Sequence, residues 1–154
     1  MPLGSTTYHF ASREDLLIAA MRRTGAEWLA GIERWERGID PARPLADEVL
    51  RLVEESLDGE RARVRVEYDL YLAALRGPAL RPLAAECLDG LVALLRRRTS
   101  DDATARALAA LLDGLLLQLL LTGREIDRPQ LRATLGVVLD ERQPPGKAVE
   151  DEPS

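Results

Sequence analysis

The sequence SDDATARALAALLDGLLLQLLLTG, residues 100–123, decides the predicted fold. Ser100 is suited to cap the start of a helix, and Asp101 and Asp102 put negative charge in its first turn, where the helix dipole favours it. Leucines recur at helical spacing, the last two turns are apolar almost all round, and Gly123 ends the pattern. A helix that is apolar on nearly every side must be covered by other helices, so this stretch predicts a helical bundle.

The rest of the chain carries further helical patterns and no convincing strands. Ser12 and Asp15 form a capping pair before the first pattern, and Gly77-Pro78 interrupts the chain between the third and the fourth. We therefore predict an all-α bundle of about six helices after a short N-terminal segment. These helices are expected at about residues 13–37, 44–58, 60–76, 79–98, 101–122 and 128–142, and residues 143–154 are expected to be a disordered tail.

Composition excludes several classes of protein. The net charge of −5 argues against nucleic-acid binding over the whole surface. One histidine, His9, and one cysteine, Cys87, leave no multi-histidine metal site, and the motifs of phosphate-binding loops and nucleophile elbows are absent. No catalytic residue, metal or cofactor is therefore expected. The unpaired cysteine, the lack of a signal peptide and the short leucine run 115–121 predict a cytoplasmic protein outside the membrane.

The N-terminal residues MPLGSTTYHF (1–10) run into ASREDLL (11–17). An aromatic segment ending in Tyr8-His9-Phe10, followed by a capped amphipathic helix, resembles the end of the helix-turn-helix in TetR-type bacterial regulators. The resemblance covers roughly Pro2 to Met21 and, more loosely, the helical layout of the rest. It implies an incomplete helix-turn-helix plus connecting helix at residues 1–37, an effector-binding and dimerisation domain at 38–142, and a tail at 143–154.

The resemblance also implies which residues contact DNA. Gly4, Ser5 and Thr6 fall where the family contacts bases, whereas Tyr8, His9 and Arg13 fall where it contacts phosphates. The DNA-contacting helix before Arg13 would be only about two turns long, which is too short to hold its shape in water without other helices to pack against. We therefore expect specific DNA binding to be lost or severely weakened in this form. Operator DNA is an expected partner where the N-terminus is complete.

In the resembling family the last two helices of each subunit form a four-helix dimer bundle, which implies a homodimer here. The small residues Ala109, Ala110, Gly114, Ala133 and Gly136 would allow close helix approach. The alternative, that residues 100–123 form the buried central helix of a monomer, stays open. The candidate interface consists of leucines and one valine from the last two helices: Leu108, Leu112, Leu115, Leu116, Leu119, Leu131, Leu135 and Val138.

A ligand cavity is predicted from side chains on the first, third and fourth helices. Family members enclose small apolar or amphipathic effectors in this region, and aromatic walls suit such sites. Plain core packing is the alternative, and we expect Cys87 to be an inert thiol. The candidate lining residues are Met21, Trp28, Ile32, Trp35, Tyr68, Tyr71, Cys87 and Leu91.

The sequence therefore predicts a TetR-type transcriptional regulator, a ligand-responsive repressor in which an effector tilts the helix at residues 13–37. Gly25 and Gly31 in that helix indicate either close packing or a bendable helix. The basic run Arg96-Arg97-Arg98 is expected to be a solvated helix end. The main alternative is a dimeric helical ligand-binding or interaction module that does not bind DNA.

Overall fold

The computed structural model describes residues 12–58 and 61–141. These residues form six α-helices and one short 3₁₀ turn, with no strand among them, so the predicted all-α class is confirmed. The helices are α1 (Arg13–Arg37), α2 (Leu45–Asp58), α3 (Arg61–Ala73), α4 (Arg81–Arg96), α5 (Asp102–Thr122) and α6 (Arg128–Val138), and the 3₁₀ turn Pro78–Leu80 precedes α4. The predicted tail at 143–154 lies outside the described residues.

The helix starts follow from side-chain capping. The Ser12 hydroxyl accepts a hydrogen bond from the backbone N–H of Asp15 at 3.1 Å, as predicted for α1. The predicted cap of α5 is wrong by one residue, because the carboxylate of Asp101 accepts from the backbone N–H of Thr104 at 2.8 Å. Ser100 instead donates its hydroxyl to the Asp101 carboxylate at 2.8 Å, so it supports the capping residue.

The break between α3 and α4 is longer than predicted. The third helix was expected to reach Arg76 but ends at Ala73. Pro78 has no amide hydrogen to continue a helix, so the chain makes a 3₁₀ turn first and α4 begins at Arg81. Leu80 in this turn is buried and packs near Met21 of α1. The turn thus fixes the N-terminal end of α4 against α1.

The main core lies between α1, α2, α4, α5 and α6. Its largest fully buried apolar side chains are Val49, Val53, Leu91, Leu95, Leu108 and Leu135. The Glu48 carboxylate is also buried, and it pairs with Arg43 at 3.3 Å and with Arg51. This pairing is what makes a buried charge tolerable beside an apolar core.

Glu141, just after α6, connects the end of α6 to the start of α2. Its carboxylate accepts hydrogen bonds from the backbone N–H groups of Leu45 at 3.0 Å and Ala46 at 3.3 Å. These groups open α2 and have no partner within the helix. Arg132 of α6 pairs with Asp47 of α2 in the same place. The segment after α6 therefore caps the start of α2.

The basic run at the end of α4 was expected to be a solvated helix end, and Arg96, Arg97 and Arg98 are all exposed, but two of them also pair with an acid on α1. Arg98 donates to the Glu36 carboxylate at 2.7 Å and to the Glu36 backbone carbonyl at 3.0 Å. Arg97 donates to the same carboxylate at 3.4 Å. Glu36 is only 4% exposed. The C-terminal ends of α1 and α4 are thus held together by a buried carboxylate.

Helix α5 is 21 residues long and contains an 18-residue window with a mean hydropathy of 1.6, which by length and composition alone would suffice to cross a membrane. Core helices of soluble proteins meet the same criterion. Here α5 packs against α4, and Leu108 and Leu112 on that side are buried in the main core.

Candidate functional site

A small cavity lies where α1, α3, α4 and α5 meet, with a volume of about 70 Å³. Its walls are largely apolar and include three aromatic rings, of Trp28, Tyr68 and Tyr71. Sites for drug-sized ligands usually measure roughly 300–1,000 Å³, so the cavity is contracted by comparison. It is lined by Met21, Thr24, Gly25, Trp28, Glu67, Tyr68, Leu70, Tyr71, Cys87, Leu88 and Asp113.

Five of the eight residues predicted for the cavity line it: Met21, Trp28, Tyr68, Tyr71 and Cys87. The structure places the other three, Ile32, Trp35 and Leu91, in or against the main core. Helical periodicity identified the correct side of α1, but the stripe continues past the end of the cavity. Beyond that end Ile32 packs into the core cluster that α2 and α5 help to build.

Sequence reasoning missed the polar lining residues, above all Asp113. This aspartate lies in the middle of the leucine-rich helix α5, where a lone acid is out of place on an apolar pattern. That mismatch was the available signal. Thr24, Gly25, Glu67, Leu70 and Leu88 were also missed, because only the packing of four helices shows which side chains meet.

Asp113 and Tyr68 form the polar centre of the cavity. The Tyr68 hydroxyl lies 3.3 Å from the Asp113 carboxylate and 3.3 Å from its backbone carbonyl, and it donates to these oxygens. Burial raises the pKa of the Asp113 carboxyl, partly offset by the Tyr68 hydrogen bond. Burial also raises the pKa of the Tyr68 hydroxyl, and the nearby Asp113 charge adds to the effect. The hydroxyl therefore stays protonated and remains a donor.

The second tyrosine completes the aromatic wall. The rings of Tyr68 and Tyr71 lie edge to face, with centroids 6.2 Å apart and planes at 75°. Such a pair holds both rings in place without a hydrogen bond between them. The pKa of the Tyr71 hydroxyl is raised by burial first and then by the Asp113 charge, so the same carboxylate acts on both tyrosines.

Gly25 of α1 and Cys87 of α4 lie against each other at the cavity. A Cβ added to Gly25 would lie 2.6 Å from the Cys87 sulfur, so α1 approaches α4 only because residue 25 has no side chain. Burial raises the pKa of the Cys87 thiol, with the Glu86 charge as a smaller cause. A thiol with a raised pKa is a poor nucleophile, in keeping with the inert role expected for Cys87.

An open groove of about 490 Å³ adjoins the cavity between the end of α3 and the start of α4. Tyr71 and Leu88 line both spaces. Leu75, at the outer edge of the groove, is 75% exposed. The cavity and the surface groove thus adjoin at these two side chains.

The residues predicted for a dimer interface fall on two sides of α5 and α6. Leu108, Leu112, Leu119, Leu131 and Leu135 are buried inside their own chain, so they offer no surface to a partner. Leu115, Leu116 and Val138 are half-buried. The sequence could not separate the faces because α5 is apolar almost all round. The apolar residues that α5 and α6 expose include Ala110, Leu121, Ala133 and Val137, and Gly114 and Leu117 are half-buried.

The predicted DNA-contacting residues Gly4, Ser5, Thr6, Tyr8 and His9 lie outside the described residues. Arg13 is exposed in the first turn of α1. Within residues 12–58 and 61–141, no group of three or more histidine, cysteine or acidic side chains is placed to hold a metal ion.

Comparison with known proteins identifies the family. Residues 40–141 match the family described as tetracyclin repressor-like, C-terminal domain. The chain therefore belongs to the tetracycline-repressor-like (TetR) family of regulators, as the sequence resemblance implied. This is a family of regulators and not of enzymes.

Solved structures agree with this assignment. The chain is similar to the multidrug binding protein EbrR complexed with imidazole, with 47% identity, a TM-score of 0.76, and coverage of 98% of this chain and 81% of that chain. EbrR complexed with ethidium matches at 48% identity, covering 90% and 80% of the two chains with a TM-score of 0.73. EbrR complexed with proflavin matches at 47%, covering 90% and 81%, with a TM-score of 0.71. No curated protein sequence matches this chain.

Proposed function

We propose that this protein is a ligand-responsive transcription repressor that acts as a homodimer and binds a small aromatic molecule in the cavity between α1, α3, α4 and α5. One observation carries the proposal: an aromatic-walled cavity is built around α1, the helix that directly follows the predicted DNA-contacting segment. The similarity to structures of EbrR with ethidium and proflavin supports an aromatic ligand of that size.

The size of the cavity connects binding to movement. A volume of about 70 Å³ is too small to enclose a dye-sized molecule, so we expect the walls to separate when one binds. On one side the wall is α1, which contacts α4 through Gly25 and Cys87. At its other end α1 is held by Glu36 and Arg98. We expect α1 to tilt about this held end, which would move the DNA-contacting segment at its start.

Ligand binding is tested by isothermal titration calorimetry with a panel of tricyclic aromatic molecules that includes charged and neutral members. Trp28→Ala is expected to weaken binding of those that bind, because it removes a wall of the cavity. Trp35→Phe is the matched control, since Trp35 packs against the main core and does not line the cavity. Failure of every panel member to bind the wild-type protein contradicts the proposed cavity function.

Trp35→Phe also provides a fluorescent reporter. The chain has two tryptophans, so this variant leaves Trp28 alone. A ligand in the cavity lies against the Trp28 ring and is expected to quench its emission. Unchanged emission in a titration that shows binding by calorimetry would place the ligand elsewhere.

The homodimer is proposed to form through the uncovered face of α5 and α6. Leu121 is 75% and Val137 is 70% exposed, and exposed large apolar side chains on adjoining helices indicate a contact surface. A Cβ added at Gly114 would meet nothing within 4 Å, so a partner helix has room to approach there.

Sedimentation at micromolar concentration tests the dimer. The wild-type protein is expected at twice the chain mass of 17.0 kDa. Leu121→Glu and Val137→Glu are expected to give monomers, because each would bury a charge without a partner in the interface. Val66→Glu on α3 is the control: Val66 is 56% exposed on a different face and its substitution leaves the dimer intact. A wild-type monomer contradicts the proposal.

DNA binding is tested by selecting duplexes from a random pool with the wild-type dimer. Enrichment of a two-fold symmetric site, released by a panel ligand, is the expected result for a repressor. Ligand binding without any enriched duplex would favour the alternative of a ligand-binding module that does not act on DNA.

A further inference from the structure

We propose that the cavity selects aromatic cations and that the Asp113 carboxylate is the counter-ion of the bound ligand. This inference rests on the proposed function, since it names the chemical class of the molecule that occupies the same cavity. Two features carry it: an acid at the cavity wall without a basic partner, and aromatic rings around it.

Asp113 is the uncompensated acid. Its side chain has one partner among the described residues, the neutral hydroxyl of Tyr68 at 3.3 Å, and no arginine or lysine there acts on it. A hydroxyl stabilises a carboxylate but does not cancel its charge. A partly buried charge without a partner costs free energy, and a cation placed beside it recovers that cost. The position of Asp113 therefore favours a positively charged ligand.

The charge of Glu67, the other acid that lines the cavity, is already balanced. Arg63 lies in the same helix as Glu67, and its Nε is 2.9 Å from the Glu67 carboxylate. The charge of Glu67 is thus balanced by its own helix. This contrast assigns the selectivity for charge to Asp113 on α5 and not to the acids of the cavity in general.

The aromatic walls specify the rest of the ligand. Trp28, Tyr68 and Tyr71 offer ring surfaces to a flat guest, and the negative face of an aromatic ring attracts a cation. Apart from Glu67 and Asp113, the lining residues that ionise are the two tyrosines and Cys87, and burial raises the pKa of each. No lining residue is basic, so an anionic ligand would lie beside acidic side chains with no positive charge to balance its own.

The test uses three tricyclic probes of nearly the same shape: N-methylacridinium, a cation; methylanthracene, which is neutral; and anthracene carboxylate, an anion. Affinities are measured by fluorescence titration with the full chain. The decisive quantity is the ratio of the dissociation constants of the neutral and cationic probes, because the ratio cancels effects on the shape of the cavity. Asp113→Asn is expected to lower this preference for the cation about tenfold, as removal of a partly buried counter-ion should.

Asp102→Asn is the matched control. Asp102 lies on the same helix, exposed, with its carboxylate 2.7 Å from Arg106, so this variant makes the same change in net charge away from the cavity. It is expected to leave the preference within about twofold, since exposed pairs couple weakly to a distant site. An equal loss in both variants would overturn the inference, because it would show an effect of net charge alone.

A second measurement needs no variant. In wild-type protein the affinity for N-methylacridinium is expected to rise as pH rises through the raised pKa of Asp113 and then to level off, while the affinity for methylanthracene stays flat. Flat behaviour of both probes, or binding of the neutral probe alone, overturns the inference and leaves ligand binding itself standing. Failure of all three probes to bind contradicts the inference and the proposed function together.

Discussion

Gly25 and Gly31 both lie in the interior of α1, and the sequence left their roles open. A Cβ at Gly25 would meet the Cys87 sulfur at 2.6 Å, whereas at Gly31 the nearest atom, on Arg34, would be 3.8 Å away. Gly25 is therefore required by close packing and Gly31 is not. The partner of Gly25 lies on α4, far along the chain, and nothing in the sequence of α1 indicates it.

Alanine substitutions should separate the two glycines. Gly31→Ala is expected to raise the free energy of unfolding by about 1 kcal/mol, because alanine favours helix and has room. Gly25→Ala is expected to lower it by about 1–2 kcal/mol, because the new methyl group overlaps Cys87. Urea unfolding measures both. In a Cys87→Ala background the Gly25→Ala penalty should disappear, and a penalty that persists would show that the sulfur is not its cause.

Asp113 should make stability depend on pH in a direction opposite to that of an ordinary paired acid. Its pKa is raised by burial, so the folded state binds a proton more tightly than the unfolded state. The contribution of Asp113 to stability is therefore fully present below the unfolded carboxyl pKa of about 3.9 and is lost as pH rises through the raised pKa of the folded state. Asp113→Asn removes this loss, so the variant should gain stability over wild type as pH rises through that window and keep the gain above it.

The measurement is the free energy of unfolding of both proteins from pH 4 to pH 8. Asp102→Asn is again the comparison, since this exposed acid pairs with Arg106 and has no burial to oppose its charge. A difference between wild type and Asp113→Asn that shrinks with rising pH would contradict the assigned direction.

Local sequence signals predicted well which helices exist and in what order they follow along the chain. Ser12, Gly38 and Asp127 mark boundaries of α1 and α6 through caps and breaks that act within a few residues. The face of α5 that turns inward was not predictable, because Leu112 and Leu121 look alike in sequence. One is 5% exposed and the other 75%. Only the neighbours α4 and α6 distinguish them.

The basic end of α4 shows the same limit. Arg98 satisfies the helix dipole, as expected from sequence, but its guanidinium reaches Glu36 on α1. Glu36→Gln is expected to lower the free energy of unfolding by about 2–3 kcal/mol, because hydrogen bonds to a buried carboxylate lose their charge. Thermal or urea unfolding measures the loss.

Glu27→Gln supplies the comparison on the same helix. The Arg23–Glu27 pair, at 2.9 Å, is exposed on both sides, and such pairs contribute about 0.5 kcal/mol or less. Equal effects of the two substitutions would show that the Glu36 contact does not hold the helix ends together.

For the molecule as a whole, Glu141 links the end of the described chain to the start of α2. Glu141→Gln is expected to lower the free energy of unfolding by about 1 kcal/mol, the usual cost of losing a helix cap. Glu55→Gln is the control, because Glu55 is exposed and lies 3.9 Å from Arg51. Urea unfolding compares the two, and a neutral Glu141→Gln would mean that water caps α2 equally well.

The site was predictable where it follows one helix and not where four helices meet. Met21 and Trp28 lie on the apolar stripe of α1 and were expected at the cavity, but the same stripe led to Ile32, which belongs to the core. Asp113 lies on α5, and its distance from Tyr68 depends on how α3 packs against α5. Periodicity describes one helix at a time and contains no such information.

The contracted cavity has a consequence for pharmacology. Part of the binding energy of a large ligand must be spent on opening the space of about 70 Å³, so its measured affinity is lower than its contacts alone would give. A fragment small enough to enter without opening avoids that cost but leaves α1 where it is. Under the proposed function such a fragment occupies the cavity without moving α1, and it competes with the larger ligands that do move it. The affinity of a ligand and its ability to move α1 should then depend on ligand size in different ways.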